Sequence, residues 1–249
     1  MKIIKFSLIK LVVLLLFFQL IVLSKGNAQS DSDLSNLGFP GLIYTPSAYL
    51  SDWGTVAVGM THYHKDAAFT FEAGDNTERS FWANIGFLPF GEVTLRLTKP
   101  YNPSIPNYGV SENYGIGDRS ISFRLQVLKE RENRPAILVG TQDPFSGSSF
   151  FNTNYIVVSK KQIFKKIEFN ANVGYGFKIE EANGHILKGI IGGVQAKWQQ
   201  IRAMLEYDAT RINIGVGYQY KGWVRTNFAL VNGKYLSAAL AFSFSLNKT

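Results

Sequence analysis

The chain has 249 residues, with 26 Lys and Arg against 18 Asp and Glu, 46% hydrophobic residues, 14% aromatics and only 18% charged residues. This balance excludes disorder, collagen and coiled coil, and the absence of Cys excludes disulfides, thiolate metal sites, a Cys nucleophile and a lipidated Cys anchor. Lys2, Lys5, Lys10 and Lys25 fall in the first 28 residues, so the formal charge of +8 drops to +4 beyond them, and no nucleic-acid partner is expected.

Residues 1–28 read as a secretory signal peptide. Lysines at 2, 5 and 10 precede an apolar run from Leu11 to Leu23, and Gly26-Asn27-Ala28 offers small residues for cleavage after Ala28. The run is short of the roughly 20 residues of a membrane helix; an uncleaved anchor is the alternative. Residues 29–53 form a lead. Within it, Pro40, Pro46 and Gly54 bracket an apolar, irregular stretch that reads either as a small plug in a barrel mouth (residues 37–50) or as a plain ordered lead-in.

Residues 54–249 alternate with period two. Ile167 to Phe177, Ile212 to Tyr220 and Leu236 to Leu246 each place apolar side chains opposite Gly, Ser, Asn or Gln. Twelve strands are expected, starting near Gly54, Ser80, Glu92, Asp118, Arg134, Thr153, Ile167, Leu187, Gln200, Thr210, Gly222 and Tyr235. Long connections at about 65–79, 99–117, 143–152 and 178–186 alternate with short turns, such as Pro89-Phe90-Gly91 and the Lys-rich turn at 162–166. Short turns facing long loops are the arrangement of outer-membrane barrels. The expected fold is therefore all-β, a transmembrane antiparallel β-barrel. A secreted sandwich or a lipocalin-like barrel gives the same alternation. Polar faces poor in charge, and aromatics near strand ends, favour the membrane barrel. Those aromatics are Tyr63, Phe81, Trp82, Phe90, Tyr155, Phe177, Trp198, Tyr207, Tyr220, Trp223 and Tyr235.

Several stretches resemble YjbH-type outer-membrane proteins linked to exopolysaccharide production. They are Gly41-Leu42-Ile43-Tyr44-Thr45-Pro46-Ser47-Ala48, then Leu88-Pro89-Phe90-Gly91-Glu92-Val93-Thr94-Leu95-Arg96, then Gly117 to Leu125 leading into Arg134 to Gly140, and Phe145 to Phe151 before Asn154 to Lys160. The resemblance covers about residues 41–177. It implies placement in the outer membrane of a Gram-negative cell and an accessory role in exopolysaccharide or capsule secretion or assembly. The implied partners are outer-membrane lipid, anionic polysaccharide and other polysaccharide-export proteins.

Glu92, Arg96, Arg124, Glu168, Arg202, Glu206, Arg211 and Arg225 share the polar face. They read either as a path for an anionic polymer or as internal ion-pair packing, and a narrow lumen favours packing. The loop 143–154 carries Phe150 and Phe151, which suit stacking on a sugar ring; a plain outer loop is the preferred reading.

No catalytic residue, cofactor or metal site is expected. His62 and His64 share a strand face, but a zinc site needs a third ligand and His185 lies far along the chain. Gly115-Ile116-Gly117 lacks the third Gly and the helix of a dinucleotide fingerprint. Two rivals remain: a diffusion or solute-specific channel, and an outer-membrane lipid hydrolase using one of these His as general base. A docking scaffold is a third.

Overall fold

A computed structural model describes residues 33–68, 76–101, 118–144, 152–178 and 187–246. The expected signal peptide at 1–28, the loop residues Phe150 and Phe151, and His185 lie outside them.

Twelve antiparallel strands close a barrel. They are β1 (Thr55–Tyr63), β2 (Thr77–Leu88), β3 (Gly91–Tyr101), β4 (Asp118–Leu128), β5 (Ala136–Gln142) and β6 (Thr153–Phe164). The second half comprises β7 (Ile167–Phe177), β8 (Gly189–Trp198), β9 (Ile201–Tyr207), β10 (Ile212–Tyr220), β11 (Val224–Val231) and β12 (Tyr235–Ser245). Each strand pairs with its neighbours in sequence, and β1 closes on β12 from Thr55↔Ser245 to Tyr63↔Ser237. Closure leaves no strand edge unpaired, which a bilayer core requires. β2 and β3 run two or three residues further toward the long-loop end than expected: Thr77 pairs with Tyr101 and Glu78 with Pro100. Pro100 fits because it lies beyond the last β3–β4 pair, Thr98↔Asp118.

Side chains alternate across the wall. Val58, Leu95, Ile156, Val173, Ile190 and Phe228 are exposed on the outside. Asn84, Glu92, Arg124, Asn172, Glu206 and Asn227 are buried inside. Apolar outside and polar inside is the distribution of a membrane-spanning barrel, the reverse of a soluble one. Phe90, Phe164, Trp198 and Tyr207 stand exposed at strand ends or turns, where interfacial aromatics belong.

Tyr63, Trp82 and Tyr155 depart from the expected girdle. They are at most 4% exposed and face inward. Their strand parity decides this: Trp82 lies two residues from both Ser80 and Asn84, which are inward too. Gly140 provides room for the Tyr155 ring, since a Cβ there would lie 2.6 Å from Tyr155 Cε2.

The turns β2–β3, β4–β5, β6–β7, β8–β9 and β10–β11 share one end with the start of β1 and the end of β12. The ends of β1, β3, β5 and β7, from which the long connections are expected, lie at the other end.

Candidate functional site: the plugged lumen

The segment from Asp33 to Ser51 lies inside the barrel. Leu34, Leu37, Phe39, Leu42, Ile43 and Tyr44 are all at most 1% exposed. Burying each such side chain contributes roughly 1.5–3 kcal/mol relative to leaving it in water. Leu34 clusters with Ala57, Trp82 and Ala241, and the other five pack against Tyr63, Leu138, Tyr155, Val157, Ile191 and Met204 of the wall. The apolar residues of the lead thus supply a core that the polar lumen lacks.

The segment folds on itself by two short bridges, Leu34↔Pro40 and Gly41↔Pro46. The first turn carries Gly38 at φ +93°, against the Trp82 ring. Ser35 N–H donates to Phe39 O at 2.8 Å and Gly38 N–H to Ser35 O at 3.1 Å. With little regular structure, most remaining backbone groups need partners on the wall.

Three charged wall residues provide many of them. Glu206 of β9 accepts the backbone N–H groups of Ile43 (2.9 Å), Tyr44 (3.0 Å) and Thr45 (3.0 Å), and the Thr45 hydroxyl at 2.9 Å. Asn213 Nδ2 donates to Glu206 Oε1 at 3.0 Å. Consecutive N–H groups converging on one carboxylate form an anion-binding nest. Arg202, also on β9, donates to Leu34 O at 2.5 Å and Gly41 O at 3.2 Å, and to Asn227 and Gln195 on the wall. Arg124 of β4 donates to Ser47 O, to Tyr49 O at 3.2 Å and to Glu92 Oε1 at 2.5 Å. Both side chains of that Arg124–Glu92 pair are fully buried.

Further wall groups complete the seat. Thr61 and Tyr63 hydroxyls donate to Asn36 O at 2.7 and 2.9 Å. Ser159 Oγ accepts Ala48 N–H at 2.7 Å, and Glu92 Oε2 accepts Ser51 N–H at 2.7 Å. At the entry, Asp33 meets Lys197 at 3.1 Å and accepts from Gln195 at 2.6 Å. Burial opposes the charge of Asp33, but Arg202 and then Lys197 outweigh it and hold its carboxyl below the usual carboxylate value. Tyr44, buried in the segment, is pushed well up by burial first and by Tyr63 next.

The charged residues expected in the lumen thus divide by partner. Glu92, Arg124, Arg202 and Glu206 hold the inner segment. Arg225 donates to Ser243 Oγ on the neighbouring strand. Glu168 pairs with Lys161 at 3.3 Å near the mouth. Arg96 is buried in the field of Tyr63, Asp118, Asp143 and Glu78 toward the long-loop end. Arg211 lies in the turn before β10 and pairs with Asp208 at 3.2 Å. Asp33, Ser159 and Asn227 join the seat without having been singled out; strand parity places Ser159 and Asn227 on the polar face, while nothing local marks Asp33.

His62 faces outward on β1, and His64 accepts from Asp66 N–H at 3.2 Å and stacks on Tyr235. Among the described residues, no group of three or more His, Asp or Glu is arranged to hold a metal ion. At the short-turn end, a cavity of about 190 Å³ opens between segment and wall, bounded by Asp33, Tyr49, Lys161 and Asn170 among others.

A family model described as "YjbH: Exopolysaccharide biosynthesis protein YbjH" matches residues 33–203, more than half of the chain, from the first residue of the inner segment into β9. No curated protein matches. Similar solved structures include a KdgM porin (TM-score 0.47, 10% identity, covering 78% of this chain and 99% of that one). Another is a KdgM porin in complex with disordered oligogalacturonate (TM-score 0.45, 9% identity, the same coverages).

Proposed function

The chain belongs to the YjbH family, and from that premise we propose that it is an outer-membrane barrel of a Gram-negative cell acting as an accessory to exopolysaccharide or capsule secretion or assembly. The observation that carries this reading beyond a general channel is the seat of residues 33–51. Glu206 and Arg202 of β9 and Arg124 of β4 bond the segment, whose apolar side chains fill the lumen. A freely diffusing solute needs an aqueous path of the kind porins hold open, and this segment stands in that path. The reading includes no catalytic step and no nucleic acid. Its partners are outer-membrane lipid, other polysaccharide-export proteins and an anionic polymer.

The deciding experiment measures surface and secreted polysaccharide in a deletion strain and in the complemented strain. Loss on deletion, restored by the intact gene, supports the role. Unchanged polysaccharide with normal membrane integrity overturns it.

A gated-channel version is favoured by one further observation. Arg124 and Arg202 spend their guanidinium donors partly on carbonyls of the inner segment. Withdrawing the segment would return those donors to the lumen, where they suit carboxylates or phosphates of a passing polymer.

A further inference from the structure

On the outer face, the long-loop ends of β1 to β4 carry basic side chains that nothing inside the barrel uses. His62 pairs across strands with Arg79, and Arg79 with Lys99. Arg119 pairs with Leu97, two residues below Lys99. All four positions are outward by parity, on four adjacent strands. The remaining eight strands carry no charge on their outward positions at that end, from Thr141 and Asn154 round to Leu230 and Leu236; Lys178 and Lys188 lie beyond the strands.

Directly opposed like charges destabilise a sheet unless something neutralises them. Among the described residues, no carboxylate pairs with Arg79, Lys99 or Arg119. Glu78 and Asp118 face the opposite side of the wall, and Asp66 pairs with His64. The Arg79 guanidinium is held over the Tyr101 ring at 3.3 Å, which fixes it in the row.

Immediately below the row, the wall carries an open cleft of about 790 Å³ between Met60, Phe81, Leu97, Ile121, Leu240 and Phe242, with Arg119 at its rim. An apolar cleft capped by a cationic row matches one ligand chemistry: phosphate groups above, hydrocarbon below.

We propose that this face of β1–β4 and β12 binds a phosphorylated, multiply acylated glycolipid of the outer leaflet. Its phosphates sit on Arg79, Lys99 and Arg119, and an acyl chain lies in the cleft. The proposal rests on the outer-membrane placement above and is independent of the polysaccharide role.

The test titrates bisphosphorylated lipid A onto the purified full-length barrel, read by native mass spectrometry, with dephosphorylated lipid A and phosphatidylglycerol as competitors. Heat-modifiable migration certifies that each variant is folded. R79Q/K99Q/R119Q is expected to weaken binding about tenfold or more, L97W to weaken it by blocking the cleft, and K188Q to leave it unchanged. Wild-type-like binding by the triple variant overturns the site, as does equal binding of phosphatidylglycerol. A protein absent from the outer-membrane fraction would refute the placement instead, whereas a barrel in that fraction that binds no lipid A refutes this site alone.

Discussion

The Glu206 carboxylate accepts the backbone N–H of Tyr44 at 3.0 Å, joining β9 to a residue 162 positions earlier in the chain. The same carboxylate takes the N–H groups on either side, so one side chain orients a complete turn of the inner segment. Glu206→Gln keeps the shape but turns an NH2 toward N–H donors. Each buried donor left without an acceptor costs roughly 1–3 kcal/mol. The expected outcome is a folded barrel with a loosened segment: heat-modifiable migration unchanged, and hydrogen exchange over residues 36–46 accelerated. Unchanged protection there would show that apolar packing alone seats the segment.

The Arg124–Glu92 pair is expected to behave as a coupled unit. Removing one member strands a buried charge, at roughly 3–5 kcal/mol. Arg124→Met and Glu92→Gln should each lower the unfolding midpoint, and the double variant should lose less than the two losses added, with a coupling of about 1 kcal/mol or more. Recovery will be partial. Arg124 also serves the carbonyls of Ser47 and Tyr49, and Glu92 the Ser51 N–H. Additive losses in a double-mutant cycle would contradict the geometry.

Strand existence and facing were legible because both depend on period two alone. Every expected strand start lies within three residues of the observed one, from Ser80 against Thr77 to Tyr235 against Tyr235. Parity also placed Glu92 and Arg124 on one face, and the register Glu92↔Arg124 makes them direct neighbours. What parity cannot give is a partner across the lumen. The contacts of Glu206 with Tyr44 and of Ser159 with Ala48 span more than 100 residues and arise only once the barrel closes. Position along the strand misled for Tyr63, Trp82 and Tyr155. Their place near strand ends suggested a girdle, while their parity pointed to the lumen.

Gly38 and Gly233 form a controlled comparison. Both have positive φ, +93° and +66°. A Cβ on Gly233 meets nothing within 4 Å, whereas one on Gly38 lies 2.7 Å from Trp82 Cδ2. Gly233→Ala therefore carries only the conformational cost of about 1–2 kcal/mol. Gly38→Ala adds a clash with a buried ring that cannot swing away, and should destabilise by clearly more. Denaturant midpoints of the two variants decide it; equal losses would mean that the turn at Gly38 is not pressed against Trp82.

Asp33 gives the segment a pH dependence of definite sign. Its folded pKa lies below the ordinary value, because the attraction of Arg202 and Lys197 outweighs burial. A depressed carboxyl contributes stability that is complete above the unfolded pKa and is lost as pH falls through the folded value. The contribution of Asp33 to the segment's protection should be flat from pH 7 to about 5 and should weaken below about pH 4. Asp33→Asn should be weaker at neutral pH and lose the part of the acid response that belongs to Asp33. An identical acid profile in the variant would assign the response to other carboxylates.

Conductance in planar bilayers tests whether the inner segment closes the barrel. The intact protein should stay silent at moderate voltage, since Leu37, Phe39, Leu42 and Ile43 fill the space between β1, β5, β6, β8 and β9. Replacing residues 36–46 with a short Gly-Ser linker removes these side chains and the turn that Glu206 holds. It leaves every strand pair intact, so the variant should fold, shift on heating and conduct. The lumen would then present Arg96, Arg124, Arg202 and Arg225 against Glu78, Glu92, Asp143, Glu206 and Asp208. This near balance favours neither sign, so the reversal potential in a salt gradient should lie close to zero. Steady current from the intact protein would refute the plug, and a silent linker variant that still shifts on heating would place the barrier elsewhere in the lumen.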